Sequence, residues 1–191
     1  ALDCIGDVVD QQAAEALSTS LTAGHILSIG AARLSASLDK FSGWLLAGFG
    51  ATYGLLLAHL DSVAVYLRVS NVKLGAAFFL AAACAAACQK LIAAYVAAGT
   101  AAEGDGRDTG RDLATAGAPL NVESMYKQVS QGLLWPWRTF NARITAKAVA
   151  GDYAVMGRFH AKASQVQCYF VAAQFCLSLI SAILLVCGIA I

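Results

Sequence analysis

The sequence predicts an all-α, multi-pass helical membrane protein: a transmembrane hairpin, a third long transmembrane helix, and amphipathic helices outside the bilayer. Three observations predict it. First, the stretches at roughly 42–66, 74–102 and 163–191 carry almost no charge. The last holds no Asp, Glu, Lys, Arg or His, and at about 1.5 Å per residue it outspans a hydrocarbon core of roughly 30 Å. Second, 59% of residues are apolar and only 13% charged, against roughly 25% charged in ordinary soluble domains. Too few charges remain to build a hydrated surface. Third, the basic residues are unevenly placed: of 13 Lys and Arg, only Arg33, Lys40, Arg68 and Lys73 precede Lys90, and the other nine fall between Lys90 and Lys162.

Residues 1–40 read as an amphipathic N-terminal helical segment. Asp3, Asp7, Asp10 and Glu15 suit the positive end of a helix, and Ile5, Val8, Val9, Ala13, Leu17 and Leu21 recur at loose helical spacing. Ser, Thr and Gly dilute 16–32, which therefore reads as an interfacial or protein-packed helix and not as a fourth span. The first ten residues hold three acids and no basic stretch ahead of an apolar one, so no secretory signal is visible in them.

The hairpin occupies 41–102. Its first arm passes Trp44 and ends between His59 and Arg68, and Ser70 and Asn71 supply turn chemistry before the second arm. Gly50 with Gly54, and Ala47 with Ala51, form small-xxx-small pairs that let helix backbones approach closely in lipid. The second arm is Ala-rich and helix-favouring. Its one internal charge, Lys90, is a candidate polar intramembrane group with a stem long enough to snorkel toward the interface. Residues 103–120 mix charges with glycines and read as a polar Gly-rich linker. Interfacial and extramembrane helices follow over 121–162. Asn121 is placed to cap the first, and Gly151 and Asp152 are placed to interrupt the second. The C-terminal transmembrane helix takes 163–191.

Trp135, Trp137, Arg138 and Arg143 read as a lipid-interface group, because indoles favour headgroup depth and the cations can meet anionic lipid. Gln89, Gln167 and Gln174 are polar groups in apolar runs. They suit interhelical hydrogen bonds, or the lining of a pore. Six cysteines, five within apolar runs, read as small buried packing residues.

The functional classes narrow by elimination. A formal net charge of +1 provides no field for nucleic acid. No cofactor or metal motif appears: Arg107 sits where a calcium loop needs an oxygen ligand, and nothing near Cys84 and Cys88 completes a zinc shell. His25, His59 and His160 lie in separate segments without a nucleophile motif, so an enzyme is not expected. An Ala-Gly-His stretch at residues 23–25 also occurs in proton-channel subunits of rotary ATP synthases. That family places Arg nine residues before the His, where Ala16 stands here, and no resemblance is drawn.

The expectation is a non-catalytic integral membrane subunit with a structural or assembly role in a multi-subunit membrane complex, such as an organellar respiratory or ATP-synthase assembly. The alternative is a homo-oligomeric channel or pore-forming effector, with Ser178 and Ser181 extending a polar stripe. Expected partners are the lipid bilayer, anionic lipids included, and other membrane subunits or further copies of the chain. The expected location is an inner membrane, mitochondrial or bacterial. Its Lys/Arg-rich middle region would then lie on the matrix or cytoplasmic side.

Overall fold

The structure, a computed structural model, describes residues 2–63, 66–117, 121–135 and 137–189. It is all-α. The helices are α1 (Leu2–Ala58), α2 (Leu60–Val63), α3 (Val69–Thr115), α4 (Val122–Gln131), α5 (Trp137–Val149) and α6 (Val155–Cys187). Three of them, α1, α3 and α6, are long and apolar enough to cross a membrane. The chain divides into two compact units, each drawing on all three long helices. Unit 1 comprises Ala1–Ala32 and Ala98–Lys162, and unit 2 comprises Arg33–Ala97 and Ala163–Ile191.

In unit 2 the three helices pack through a repeat of seven. Its buried positions are Ser35 and Ser42 on α1, Gly75, Ala82, Gln89 and Val96 on α3, and Gln167, Gln174 and Ser181 on α6, with Gly188 just past the end of α6. A strict seven-residue period keeps one face against its partners when helices wind around each other left-handedly. The contacts fix direction. Gln167 meets Ser35 and Gln174 meets Ser42, each pair 132 residues apart, so α1 and α6 run parallel. Between α3 and α6 the numbers run oppositely, Gln89 with Gln167, Gly75 with Ser181 and Asn71 with Leu184, so α3 is antiparallel.

Glycines permit this spacing where side chains would collide. A methyl group on Gly75 would lie 2.8 Å from the Tyr53 hydroxyl oxygen, and one on Gly188 would lie 2.9 Å from Asn71 Cβ. Tyr53 then stacks on Phe79, with ring centroids 4.8 Å apart. The hairpin tip is tied to the end of α6 by Arg68 N–H donating to the Gly188 carbonyl at 2.8 Å. Ser70 and Asn71 are not the turn expected of them. They lie in the first turn of α3, and the reversal falls between His59 and Arg68. Asn71 instead donates from its side chain to the Leu184 carbonyl at 3.3 Å.

Unit 1 holds the largest departure from the sequence reading. The residues expected to form a linker continue α3 as helix through Thr115, with Gly104, Gly106 and Gly110 inside it. Each interior glycine costs a helix about 1 kcal/mol relative to Ala, and the i, i+4 ion pair of Glu103 with Arg107 offsets part of that cost. Glu103 pairs with Arg107 one turn on, at 3.1 Å, and Thr109 and Thr115 return their hydroxyls to the carbonyls of Asp105 and Arg111. The helix stops where Ala116 N–H bonds the Asp112 carbonyl and Gly117 takes the left-handed conformation that terminates helices, φ +66°. Asn121 caps α4 as expected, accepting from Ser124 N–H at 2.9 Å. Gly151, at φ +94°, separates α5 from α6.

α1 and α6 meet most closely in this unit at Gly24 and Gly157: a Cβ on Gly157 would overlap the Gly24 backbone. The apolar face expected from Ile5 to Ala13 lies outside the described side chains, while Leu17 and Leu21 are exposed. These differences between glycines are measurable. Gly104→Ala, which adds a methyl in open space, should stabilise the protein in detergent by about 1 kcal/mol. Gly157→Ala should destabilise it by about 1–3 kcal/mol through overpacking. Unfolding followed by helical circular dichroism checks both. A neutral Gly104→Ala would contradict helix at that position.

Candidate functional site

The polar groups that hydropathy conceals are the most ordered chemistry in the molecule. In unit 2, Gln174 and Ser42 clasp reciprocally: Ser42 Oγ donates to Gln174 Oε1 at 2.6 Å, and Gln174 Nε2 donates to the Ser42 carbonyl at 3.0 Å. One heptad away, Gln167 Nε2 donates to the Ser35 carbonyl at 3.1 Å and to Gln89 Oε1 at 2.7 Å. Gln89 Nε2 donates to Asp39 at 3.0 Å, and Lys90 pairs with the same carboxylate oxygen at 2.7 Å. A bonded path thus joins α6 to α3 and α3 to α1. Toward the hairpin tip, Ser181 meets the Tyr53 hydroxyl and donates to the Gly75 carbonyl at 2.8 Å.

These glutamines are fully enclosed, Gln89 and Gln167 at 0% exposure and Gln174 at 1%. They bind helix to helix, and within unit 2 they do not line a hydrated channel. Ser178 and Ser181 are buried as well. Lys90 and Asp39 sit at the network's edge, their side chains 46% and 38% exposed. Lys90 is therefore neither unpartnered nor enclosed.

Unit 1 contains a second polar cluster. His160, buried, places Nδ1 3.3 Å from Ser28 Oγ and 3.8 Å from Glu103 Oε2, and Ser28 Oγ donates to Glu103 Oε2 at 2.5 Å. Glu103 also pairs with Arg107, whose guanidinium reaches the exposed His25 ring at 2.7 Å. Serine, histidine and a carboxylate together invite a nucleophilic reading, but the geometry contradicts it. In a catalytic triad the two ring nitrogens serve different partners, one the hydroxyl and the other the carboxylate. Here both partners approach Nδ1. Nε2 makes no hydrogen bond and faces Gly99, where a Cβ would stand 2.5 Å away. Ser28 Oγ donates to Glu103 Oε2, so its hydroxyl hydrogen is not directed at the His160 ring. Among the described residues no three His, Cys, Asp or Glu side chains converge as a metal ion would need.

No family model, curated protein or solved structure matches the chain. The site must be weighed on its own geometry.

Placement of the residues singled out from sequence is mixed. Gln89, Gln167 and Gln174 come together in one unit, with Lys90 bonded at its margin. Of the small-residue pairs, Gly50 alone faces another helix among the described residues. Ala47, Ala51 and Gly54 are exposed, a Cβ on Gly54 would meet nothing within 4 Å, and Gly50 has only the Phe79 ring edge at 3.8 Å. The glycines that do permit close approach are Gly24, Gly75, Gly99, Gly157 and Gly188. Cys84, Cys88, Cys168, Cys176 and Cys187 are free and exposed, which overturns their expected burial; the side chain of Cys4 lies outside the described residues. They sit on helix faces left over after the seven-residue seam is packed. Trp135 is 82% exposed beside exposed Leu134, and Arg138 and Arg143 are exposed. Pro136 and the Trp137 side chain lie outside the described residues.

Ser28, Ser35, Ser42, Glu103 and His160 were not singled out from sequence as a set, yet their signal is present. Ser28, Ser35 and Ser42 stand seven apart, as do His160, Gln167, Gln174 and Ser181. A double-mutant cycle on Ser42→Ala and Gln174→Ala should give a coupling of about 0.6 kcal/mol, at most about 1.7, the range for hydrogen bonds between membrane helices. Thr52→Ala, which removes a hydroxyl bonded only to its own helix at the Gly48 carbonyl, should show no coupling to Gln174→Ala. Unfolding in mixed micelles checks both cycles.

Proposed function

We propose that the chain is a non-catalytic integral membrane subunit with a structural or assembly role in a larger membrane complex. The observation that carries this reading is how α1 divides its faces. The Ser35 and Ser42 edge is taken up by α6, whereas Ala47, Gly48, Ala51 and Gly54 form a smooth exposed surface with no cover among the described residues. Lipid tails are as apolar as leucine, so helices in a membrane associate through close backbone packing, and a small-residue face suits a further helix better than it suits lipid. The same holds for the uncovered Ala and Cys positions of α3, Ala81, Cys84 and Cys88.

The polar groups support a scaffold over a conduit. Gln167, Gln174 and Ser181 are the residues a pore through this chain would line with, and each is spent on a neighbouring helix. The crowding of Lys and Arg between Lys90 and Lys162 favours the matrix or cytoplasmic side for the middle region, in a mitochondrial or bacterial inner membrane. On this reading the exposed Leu134 and Trp135 rest at headgroup depth beside Arg138. The Asp39–Lys90 pair stands at one edge of the hydrocarbon layer, since Phe41 to Ala58 spans about 27 Å of helix against a core of about 30 Å.

The test is purification from native membranes in mild detergent, with identification of co-purifying chains. Distinct partner chains are expected, and Gly54→Leu should reduce their recovery while leaving helical content unchanged. Recovery of this chain alone as a closed ring with ion conductance would replace the proposal with the channel reading. Topology gives an independent check. Reporter fusions at Gly117 and after Ile191 should fall on opposite sides of the membrane, and finding both on one side would reject three spans.

A further inference from the structure

Unit 1 contains a cationic groove that none of the contacts above uses. It lies between α5 and the start of α6, has a volume of about 280 Å³, and is walled by Arg143, Lys147, Arg158 and Lys162 over the rings of Phe140 and Phe159. The two rings meet at 4.7 Å between centroids, tilted by 59°. Arg143 and Lys147 are four apart on α5, and Arg158 and Lys162 are four apart on α6. Like charges at this spacing destabilise a helix, and here two such pairs share one groove. Only Arg158 has an acidic neighbour, Asp152 in the preceding turn; among the described residues no acid pairs with Arg143, Lys147 or Lys162. The groove therefore concentrates positive charge beside aromatic surface, and both are open to a ligand.

We propose that this groove binds the phosphate headgroup of an anionic membrane phospholipid. Charge complementarity sets the ligand's sign. Arg offers paired N–H donors matched to phosphate oxygens, and Lys offers a point charge to the same group. The aromatic floor suits the glycerol and upper acyl carbons better than it suits a fully hydrated free ion. The groove's volume lies near the lower end of small-molecule sites, about 300–1,000 Å³, so it takes a headgroup while the acyl chains lie outside. Lys162 is also the last charge of α6, and every residue from Ala163 to Cys187 is uncharged. The inference rests on the membrane part of the proposed function and is independent of the subunit role.

The test uses the full chain reconstituted in phosphatidylcholine bilayers doped with spin-labelled phosphatidylglycerol or, in parallel, spin-labelled phosphatidylcholine. Electron spin resonance reads the motionally restricted, protein-bound fraction. Phosphatidylglycerol should be enriched over phosphatidylcholine, and each cation removed by Arg143→Gln or Lys147→Gln should lower its relative association about fivefold. Lys147→Arg should keep the enrichment, which separates charge from folding. Arg111→Gln, an equal charge change at an exposed position outside the groove, should leave it unchanged. Equal restriction of the two lipids, or equal loss in the control variant, would overturn the groove as a site while leaving the membrane reading intact. Displacement of the labelled lipid by excess inorganic phosphate at constant ionic strength would overturn the lipid assignment in favour of a free phosphate group. Failure of the chain to enter bilayers at all would reject both the groove and the membrane reading.

Discussion

The reciprocal bonding of serine on one helix to glutamine on another is the interaction on which the rest of unit 2 depends. A side-chain amide in hydrocarbon cannot be left to solvent, and an unsatisfied polar group there costs several kcal/mol. Gln174 solves this by giving its N–H to the Ser42 carbonyl and accepting from the Ser42 hydroxyl. Gln167 donates to the Ser35 carbonyl and to Gln89 Oε1, but its own Oε1 makes no hydrogen bond, so this pair is not reciprocal. The repetition has a consequence beyond adhesion. In a sheath of Ala, Leu and Val, many registers of two helices would pack almost equally well. Two glutamines seven residues apart, each needing a partner at one height, remove most of them. Polar burial here specifies alignment more than it adds stability, a role well attested for polar residues at helix seams.

That alignment demands short interhelical distances, and the glycines follow from it. Ser181 reaches the Gly75 carbonyl because residue 75 carries no side chain to hold the helices apart, and Tyr53 fills the space that remains. In unit 1 the same logic operates with different residues. His160 is accommodated only because position 99 is glycine, and the Gly24–Gly157 contact brings two backbones together with nothing between them. The glycines of the small-xxx-small pair at 50 and 54 are left outside this scheme.

Much of the architecture was legible in the sequence because it depends on length and hydropathy, which survive averaging over a window. The three long apolar helices and the hairpin are of that kind, while the Asn121 cap and the break at Gly151 were legible from single residues with their own turn chemistry. The polar register was not read because it depends on phase. Ser28, Ser35 and Ser42 dilute a hydropathy window without breaking it, and only their spacing reveals that they face one way. The 103–115 segment was misread for a related reason. Its glycines and alternating charges suggest a loop when counted, whereas the i, i+4 placement of Glu103 and Arg107, with Glu103 also held by Ser28, supports a helix. Small-residue pairs identify surfaces along which helices can approach, but they do not say which helix approaches. Gly54 shares its spacing pattern with packed interfaces and is exposed in this chain.

The exposed cysteines follow from the same division between seam and surface. Free thiols are small and weakly polar, so they are tolerated in a packed interior and on a lipid-facing or partner-facing helix surface alike. In a soluble protein, burial decides between those settings, because water penalises an exposed apolar face. In lipid that penalty is absent, and burial follows the groups that most need partners. The seam is accordingly rich in Ser, Gln, Gly and Ala, with Tyr53, Val96 and Val171 among them, while Leu80, Leu91, Phe175 and the five thiols are turned outward. An inside-out distribution of this kind is what the bilayer as solvent selects. It also explains why ranking residues by hydrophobicity identifies the three long apolar helices and yet points to the wrong face of each.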